Sequence, residues 1–241
     1  MKLSISVLAV LALAGPALAD GHAVRLGTEG AYPPYNFIND NGEVDGFERA
    51  LGDELCARAG LECTWVTNDW DSIIPNLLSG NFDTIIAGMS ITDERMEVID
   101  FTQDYIPPDP SAFVALKGAK LMVDGGVIAT QTATIHASWA AQNGATVVEY
   151  STPDETIAAV RNGEADAVLA DYGFLTGIVA DSGGDLDFVG DRVAIGGGVG
   201  VGVRKSDGEL KGKLDAAITS MKDDGSLNAL IAEWFDGKEG Y

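Results

Sequence analysis

Two segments of this chain share a pattern that narrows the range of possible folds. Residues 78–87 align with residues 161–170, and the alignment places Asp83 on Asp166. Each copy predicts the end of a helix, a glycine, an acidic turn and then an apolar strand. Two such halves favour an α/β protein with two lobes. Chance similarity between two strand–helix units is the alternative explanation.

The first copy of the strand leads into a polar segment. The apolar residues 84–87 stop at Gly88, and Ser90 and Arg95 follow. Ligands of α/β proteins bind beyond the carboxyl ends of the strands. The guanidinium of Arg95 is planar, permanently charged and well suited to a carboxylate. We therefore predict that this segment holds the carboxylate of a small ligand.

The second copy ends in a carboxylate instead. Asp171 directly follows the predicted strand of residues 167–170 and is the natural partner of an ammonium group. Thr134 lies at a strand-to-helix junction, where the N–H groups of a helix N-terminus can bind an anion. Tyr32 and Trp70 are aromatic residues that can form the walls of a site. Together these groups predict a cleft for an amino acid zwitterion.

These candidate residues also have ordinary structural explanations. Tyr32 and Trp70 could be core aromatics, and Asp171 could be the N-cap of a helix. Arg95 could form a surface ion pair, which contributes little to stability. Glu29 could be one exposed carboxylate among many in an acidic protein.

Charge and the N-terminus limit the possible partners and locations. The chain has 15 basic and 37 acidic residues and a net charge of −22, which argues against nucleic acid and anionic membrane surfaces. Lys2, the apolar residues 3–14 and a small-residue site ending at Ala19 are typical of a secretory signal (residues 1–19), rather than of an uncleaved anchor. No later segment has about 18 uninterrupted apolar residues, so we expect no membrane insertion after cleavage. We predict a periplasmic protein cleaved after Ala19.

The cysteines and histidines indicate a disulfide rather than a metal site. Cys56 and Cys63 are separated by a predicted turn at Gly60, and exported chains form disulfides; two buried thiols are the alternative. The spacing fits no zinc pattern. His136 is expected on the surface of a helix.

Apolar spacing and breaker residues predict the other elements. The proline-rich residues 105–110 and the glycine-rich residues 196–203 predict two segments that cross between the lobes. The glycine-rich run lacks the spacing and the following helix of a dinucleotide site, so no cofactor is expected. The terminal helices are expected to cover the first lobe. Helices are predicted at residues 47–59, 70–79, 135–143, 209–221 and 226–235 and after Thr152, and strands at 24–27, 61–66, 84–87, 112–116, 127–131, 146–150 and 167–170.

Several motifs together resemble one family. The chain is similar to the periplasmic amino-acid-binding proteins of ABC importers (solute-binding protein family 3), and most similar to the lysine/arginine/ornithine-, histidine- and opine-binding branch. The motifs are G-T-E-G-A-Y-P-P-Y at 27–35, G-F-E at 46–48, L-C-A-R-A-G-L-E-C-T-W at 55–65, D-W-D-S-I-I-P at 69–75, S-I-T-D-E-R at 90–95 and D-A-V-L-A-D at 166–171.

The resemblance implies a two-lobed type II binding-protein fold with a ligand cleft between the lobes. Lobe 1 would comprise residues 20–106 and 198–241, and lobe 2 residues 107–197. Two crossing hinge strands would lie near residues 105–110 and 191–198. The resemblance also implies a bridge between Cys56 and Cys63.

The resemblance assigns the α-carboxylate of the ligand to one group of residues. Arg95, Ser90 and Thr134 would hold it with their side chains, and Gly88 would offer its backbone. Met89 belongs to the same ligand-binding segment. This chain differs from the usual family pattern at residues 131–134, where Thr132 and Ala133 replace a glycine and a hydroxyl residue, at the short segment 117–126, and at residues 47–50.

The remaining roles concern the α-ammonium and the side chain of the ligand. Asp171 would hold the ammonium, Tyr32 and Trp70 would sandwich the side chain, and Glu29 would meet a distal cation. With the acidic balance of the chain, Glu29 favours a basic ligand: arginine, lysine, ornithine or an opine. A glutamine-like amino acid is the alternative within this class.

The implied function is delivery of the captured amino acid to the membrane permease of an ABC importer. We expect a monomer that needs no metal or cofactor. The alternative from another class is a periplasmic cyclohexadienyl or arogenate dehydratase, because these enzymes resemble the same family and fold alone does not exclude catalysis.

Overall fold

The computed structural model describes residues 23–235 together with 240 and 241. The predicted signal peptide and its cleavage after Ala19 lie outside these residues. The strands are β1 (Val24–Thr28), β2 (Ala31–Tyr32), β3 (Asn36–Ile38), β4 (Val44–Asp45), β5 (Cys63–Thr67), β6 (Thr84–Ile85), β7 (Asp100–Ile106), β8 (Ser111–Leu116), β9 (Val127–Gln131), β10 (Thr146–Tyr150), β11 (Ala167–Asp171), β12 (Leu186–Val193) and β13 (Val199–Val203). The helices are α1 (Phe47–Ala59), α2 (Ile73–Leu78), α3 (Asp93–Met96), α4 (Ile135–Gln142), α5 (Pro153–Asn162), α6 (Tyr172–Asp181), α7 (Gly208–Asp223) and α8 (Ser226–Trp234).

Most of the described strands form two five-stranded mixed sheets. The first has the order β5-β1-β6-β13-β7 and the second the order β10-β9-β11-β8-β12. The chain leaves the first sheet after β7, enters the second at β8, and returns between β12 and β13. It therefore crosses twice, at residues 107–110 and 194–198, which confirms the two-lobed fold. The exact lobe boundaries stay a prediction, which this order of strands supports.

The repeat seen in the sequence corresponds to the same local structure in both sheets. The backbone N–H of Arg25, in β1, donates to the Asp83 carboxylate at 3.0 Å, and the Arg25 carbonyl accepts from the Asp83 N–H at 2.8 Å. Val127, in β9, makes the same pair of bonds with Asp166, both at 2.8 Å. Each aspartate thus fixes the start of a central strand against its neighbour.

Two predicted elements are shorter than expected. Residues 70–79 form a 3-10 turn at Trp70–Ser72 followed by α2, instead of one helix. Pro75 explains the break, because proline has no N–H and is tolerated only in the first turn of a helix. The strand predicted at 84–87 is hydrogen-bonded as β6 only at Thr84–Ile85, because the chain turns away at Gly88, whose φ is +61°.

The terminal helices and the disulfide consolidate the first lobe. Helices α7 and α8 both pack against α1, where Leu214, Ile231 and Leu55 are buried. These contacts confirm that the terminal helices cover this lobe. A disulfide joins Cys56, in α1, to Cys63, the first residue of β5, as predicted. Among the described helices, none combines the length and apolar character needed to cross a membrane.

Candidate functional site

A cavity lies between the two lobes and collects nearly all the predicted site residues. It has a volume of about 30 Å³, which is room for roughly two water molecules. An amino acid is larger than this space, so the lining must rearrange to hold one. Its lining includes Glu29, Tyr32, Trp70, Gly88, Ser90 and Arg95 from the first lobe and Gln131, Thr134, His136, Asp171 and Phe174 from the second.

Met89 is the predicted site residue that does not line this cavity. Its side chain is buried in a core cluster with Trp70 and Phe82. The chain turns at Gly88, whose φ is +61°; beyond it Ser90 lines the cavity, while the Met89 side chain enters the core. The assignment of Met89 to the ligand site is therefore corrected to a packing role.

Arg95 carries a positive charge that the described contacts do not neutralise. Thr92 caps α3 and so fixes the backbone of Arg95 near the cleft. The Thr92 hydroxyl accepts from the Arg95 N–H at 3.2 Å. The guanidinium donates to the carbonyl oxygens of Ser90 at 2.8 Å and Ala133 at 3.4 Å, and it lies 5.4 Å from the centre of the Trp70 ring. The surface ion pair considered above is absent from these contacts.

Burial is the main influence on the charge of this guanidinium. It lowers the pKa of Arg95 to about 10, and the nearby Asp171 carboxylate opposes that shift. Arg95 therefore stays cationic at neutral pH. Its partners Ser90 and Ala133 contribute only carbonyl oxygens, so an incoming carboxylate would supply the missing negative charge.

Asp171 lies at the end of β11 and is hydrogen-bonded across the cleft. Its carboxylate accepts from the Tyr32 hydroxyl at 2.8 Å. Asp171 occupies the N-cap position of α6, but its side chain makes no capping hydrogen bond, so the carboxylate is free to bind other donors. Tyr32 also stacks on Phe174, with 4.3 Å between ring centres. Tyr32 and Trp70 are both buried, as the core interpretation predicted, yet both still line the cavity.

Glu29 forms a second polar contact between the lobes. It accepts from the Gln131 side-chain amide at 2.6 Å. Burial raises the pKa of Glu29 to about 7; the Gln131 bond opposes this shift, and the negative charges of Asp69 and Glu48 add to it. The interpretation of Glu29 as an exposed surface carboxylate is therefore wrong.

Thr134 uses its hydroxyl within the protein. As the N-cap of α4, it accepts from the Ala137 N–H at 3.2 Å and donates to the Gln131 carbonyl at 2.7 Å. The hydroxyl is thus committed to the cap in this conformation. What Thr134 presents to the cavity is mainly the N-terminus of α4, which attracts negative charge.

His136 is a cavity residue that the sequence analysis placed on a helix surface, and that prediction is wrong. The side chain is buried, with Nε2 2.9 Å from the Ser111 hydroxyl and 3.7 Å from the Asp171 carboxylate. His136 is the second residue of α4, two residues after the cap Thr134, and lies at the cavity lining. The spacing within α4 gave no signal for this, because the partners come from β8 and β11.

The buried imidazole predicts a pH dependence of stability. Burial lowers the pKa of His136, with the Asp171 carboxylate opposing and Arg95 reinforcing the shift. The unfolded chain then binds a proton near pH 6.5 that the folded state does not, so the free energy of unfolding falls as pH drops below that value, by up to about 1.4 kcal/mol per pH unit. Denaturant titrations between pH 7.5 and 5 should show a shallower decline for His136→Gln. If the free energy of unfolding fell equally with pH in both proteins, His136 would not be the group that causes the decline.

The fold and the cavity define the class of protein. Two α/β lobes joined by two crossings, with polar groups from both lobes lining one cavity, are the architecture of a binding protein for a small solute. Residues 24–237 match the family model of the bacterial extracellular solute-binding proteins, family 3. The chain belongs to this family.

Similar proteins bind basic amino acids. The L-arginine-binding protein of Pseudomonas aeruginosa is 34% identical over 96% of this chain and 95% of its own length. The lysine/arginine/ornithine-binding periplasmic protein of Escherichia coli is 33% identical over 97% of this chain and 96% of its own. A solved structure, the periplasmic His/Glu/Gln/Arg/opine family-binding protein of Silicibacter pomeroyi in complex with lysine, is 70% identical, has a TM-score of 0.88, and the match covers 91% of this chain and 100% of that one.

Proposed function

We propose that this protein is an extracytoplasmic receptor that captures a basic L-amino acid and delivers it to the permease of an ABC importer. The observation that carries the proposal is that Arg95 and Asp171 come from different lobes and line one cavity. A cation and an anion so placed match the two charges of an amino acid backbone. The permease is inferred from the family.

The site explains how a ligand would stabilise the closed form. In the present contacts, Arg95 donates across the cleft to the Ala133 carbonyl, and Tyr32 donates across it to Asp171. An α-carboxylate bound to Arg95 and an α-ammonium bound to Asp171 would bridge the same two lobes with charge-assisted bonds. Each such bond contributes roughly 1.5–3 kcal/mol, so the ligand favours closure because only the closed form offers both partners.

The preference for a basic side chain depends on Glu29. This carboxylate lies in the same cavity as the aromatic walls formed by Tyr32 and Trp70. An aliphatic chain packed between rings with its cation at a carboxylate describes lysine or arginine. The lysine bound in the 70% identical structure supports this choice. A glutamine-like ligand would leave the charge of Glu29 uncompensated.

The pKa of Glu29 predicts how affinity changes with pH. A cationic side chain binds the ionised carboxylate, whereas the pKa of Glu29 in the closed site is about 7. L-lysine should therefore bind more weakly as pH falls from 8 to 6, by up to about tenfold per pH unit below 7. L-norleucine, which lacks the ε-ammonium, should not show this component. Calorimetry at several pH values measures the affinity of both ligands. In Glu29→Gln, the affinities for L-lysine and L-norleucine should depend on pH in the same way.

Calorimetry against a panel of ligands tests the function itself. We expect L-lysine or L-arginine to bind at micromolar concentrations or below, and L-norleucine and L-glutamine to bind more weakly. A saturating ligand at about 1,000 times its Kd should raise the free energy of unfolding by about 4 kcal/mol. Binding of none of the amino acids or opines would refute the proposal.

We also propose that the protein binds without catalysis. The relatives named above are binding proteins, and a dehydratase would need a general acid placed beside a departing hydroxyl. Incubation with prephenate or arogenate should yield no aromatic product above the uncatalysed rate. A burst of product that disappears in Glu29→Gln would favour the enzyme instead.

Location and oligomeric state complete the proposal. We propose a periplasmic monomer whose mature chain begins at Asp20. Mass spectrometry of the protein recovered from the periplasm identifies the first residue of the mature chain. Light scattering measures the oligomeric state. A mature chain that retains residues 1–19 would contradict the predicted cleavage.

A further inference from the structure

Glu48 is a buried carboxylate outside the ligand cavity. It is the second residue of α1, and its side chain is fully buried. One oxygen accepts from the Gly88 N–H at 2.6 Å and from the Tyr105 hydroxyl; the other accepts from the Asn36 amide at 2.7 Å. The described residues place no basic side chain in contact with it. Burial raises its pKa, and these three bonds oppose that shift.

The donors to this carboxylate belong to segments that form the cleft. Gly88 lines the cavity between Ala87 and Ser90. Asn36 pairs with Tyr32 across the β2–β3 hairpin, and its side-chain oxygen accepts from the Gly30 N–H at 2.7 Å. The series of hydrogen bonds from Glu48 through Asn36 therefore reaches Gly30, the residue next to Glu29. The Glu48 carboxylate thus connects the Gly30 segment with the Gly88 segment of the first-lobe site.

Tyr105 extends the connection to the crossing segment. It lies in β7, one residue before the strand ends and the chain leaves for the second lobe. Its ring is fully buried, so its hydroxyl has no access to water. Glu48 thus contacts the first-lobe site and the strand that enters the crossing at residues 107–110.

The hydrogen-bond pattern requires two acceptor oxygens at position 48. The Gly88 partner is a backbone N–H and can only donate. The Asn36 amide must also donate, because its oxygen is already used by Gly30. A carboxylate satisfies both, whereas the carboxamide of glutamine has one acceptor oxygen and an NH₂ group that would face a donor. An unsatisfied buried donor is costly.

We propose that the Glu48 carboxylate is a positioning residue for ligand binding: it holds the Gly88 backbone and the Gly30–Tyr32 segment in the geometry that receives an amino acid, without touching the ligand. The inference depends on the proposed function, since it concerns affinity for that ligand. In this conformation the Gly88 N–H is bonded to Glu48 and is not offered to the α-carboxylate as the resemblance implied; Gly88 instead lies close to Ser90, which is assigned to that group. At a pH well above 7, where Glu29 is ionised with or without the charge of Glu48, loss of Glu48 should therefore weaken all amino acids by the same factor, whatever their side chains.

Calorimetry with Glu48→Gln tests this inference, with Glu54→Gln as the matched control. Glu54 is on the same helix but is partly exposed and pairs with Arg58. We expect Glu48→Gln to weaken L-lysine and L-norleucine alike by about tenfold or more, in line with the loss of a hydrogen bond to a charged group. Glu54→Gln should bind as the wild type does. Titrations are made at a temperature at which circular dichroism shows each variant folded.

A second readout follows the positioning itself. The amide proton of Gly88, bonded at 2.6 Å to a carboxylate, should resonate downfield in the wild type and move upfield in Glu48→Gln. Should Glu48→Gln not fold, Glu48→Asp replaces it, because it keeps both acceptor oxygens but withdraws them by one methylene; weaker binding of both ligands is again expected.

Two results would overturn the inference: a folded Glu48 variant that binds both ligands as tightly as the wild type, or one that loses affinity for L-lysine alone. A wild-type protein that binds no amino acid would instead refute the proposed function. The Gly88 resonance can be compared in either case, so the two failures are distinguishable.

Discussion

Replacing Arg95 with methionine is expected to weaken the binding of L-lysine by roughly a hundredfold or more. Arg95 supplies the cation for the α-carboxylate, and its present acceptors are the neutral carbonyl oxygens of Ser90 and Ala133. A bidentate guanidinium–carboxylate contact contains two charge-assisted bonds, and at roughly 1.5–3 kcal/mol each their loss exceeds the energy equivalent of a hundredfold change. Methionine keeps an unbranched side chain at this position but removes the guanidinium, which lies 5.4 Å from the centre of the Trp70 ring.

Calorimetry with two ligands separates this effect from general damage to the cleft. Cadaverine has the chain and both amino groups of lysine but no carboxylate, so its weak binding should be the same in Arg95→Met and in the wild type. Arg49→Met is the control, because Arg49 pairs with Asp53 on the exposed face of α1. If L-lysine bound to Arg95→Met within threefold of the wild type, the carboxylate would have to be held elsewhere.

The sequence predicted those parts of the site that depend on local pattern. Asp83 and Asp166 could be aligned because each sits at the start of its own strand, and the structure gives both the same pair of backbone bonds. Arg95 and Asp171 could be found because polar residues at strand ends collect at one edge of a sheet. In these cases the signal and its structural cause lie within a few residues of each other.

The residues that the sequence analysis misplaced depend on distant partners. The burial of His136, in α4, reflects Ser111 and Asp171, which lie on the strands β8 and β11. Met89 stands between two residues that line the cavity, Gly88 and Ser90, but its own side chain packs with Trp70 and Phe82 in the core.

Glu48 shows the same limit more clearly. Glu48 belongs to the G-F-E motif at 46–48 and to the segment 47–50 that differs from the family pattern, but nothing local indicates a buried acceptor. Its donors are 12, 40 and 57 residues away along the chain. Contacts at such separations are fixed by the packing of whole elements, which a single sequence does not encode in any short pattern.

Asp171→Asn is the second substitution with a large expected effect. Asparagine has nearly the same shape, and its oxygen can still accept from the Tyr32 hydroxyl, which now lies 2.8 Å from the carboxylate. The contact between the lobes is therefore kept while the negative charge is lost. We expect L-lysine to bind roughly fiftyfold more weakly, since one charge-assisted bond to a buried carboxylate contributes roughly 1.5–3 kcal/mol.

A ligand without the α-amino group tests whether the loss of affinity comes from the contact between Asp171 and the α-ammonium. 6-Aminohexanoate has a carboxylate for Arg95 and an ε-ammonium for Glu29 but nothing for Asp171, so Asp171→Asn should bind it as well as the wild type does. Asp181→Asn, at the exposed end of the same helix α6, is the control and should bind both ligands normally. Because Arg95→Met is sensitive to the carboxylate and Asp171→Asn to the ammonium, the two substitutions fix the orientation of the zwitterion in the cleft. If 6-aminohexanoate lost as much affinity for Asp171→Asn as L-lysine did, Asp171 would act through the closure of the lobes and not through the ammonium group.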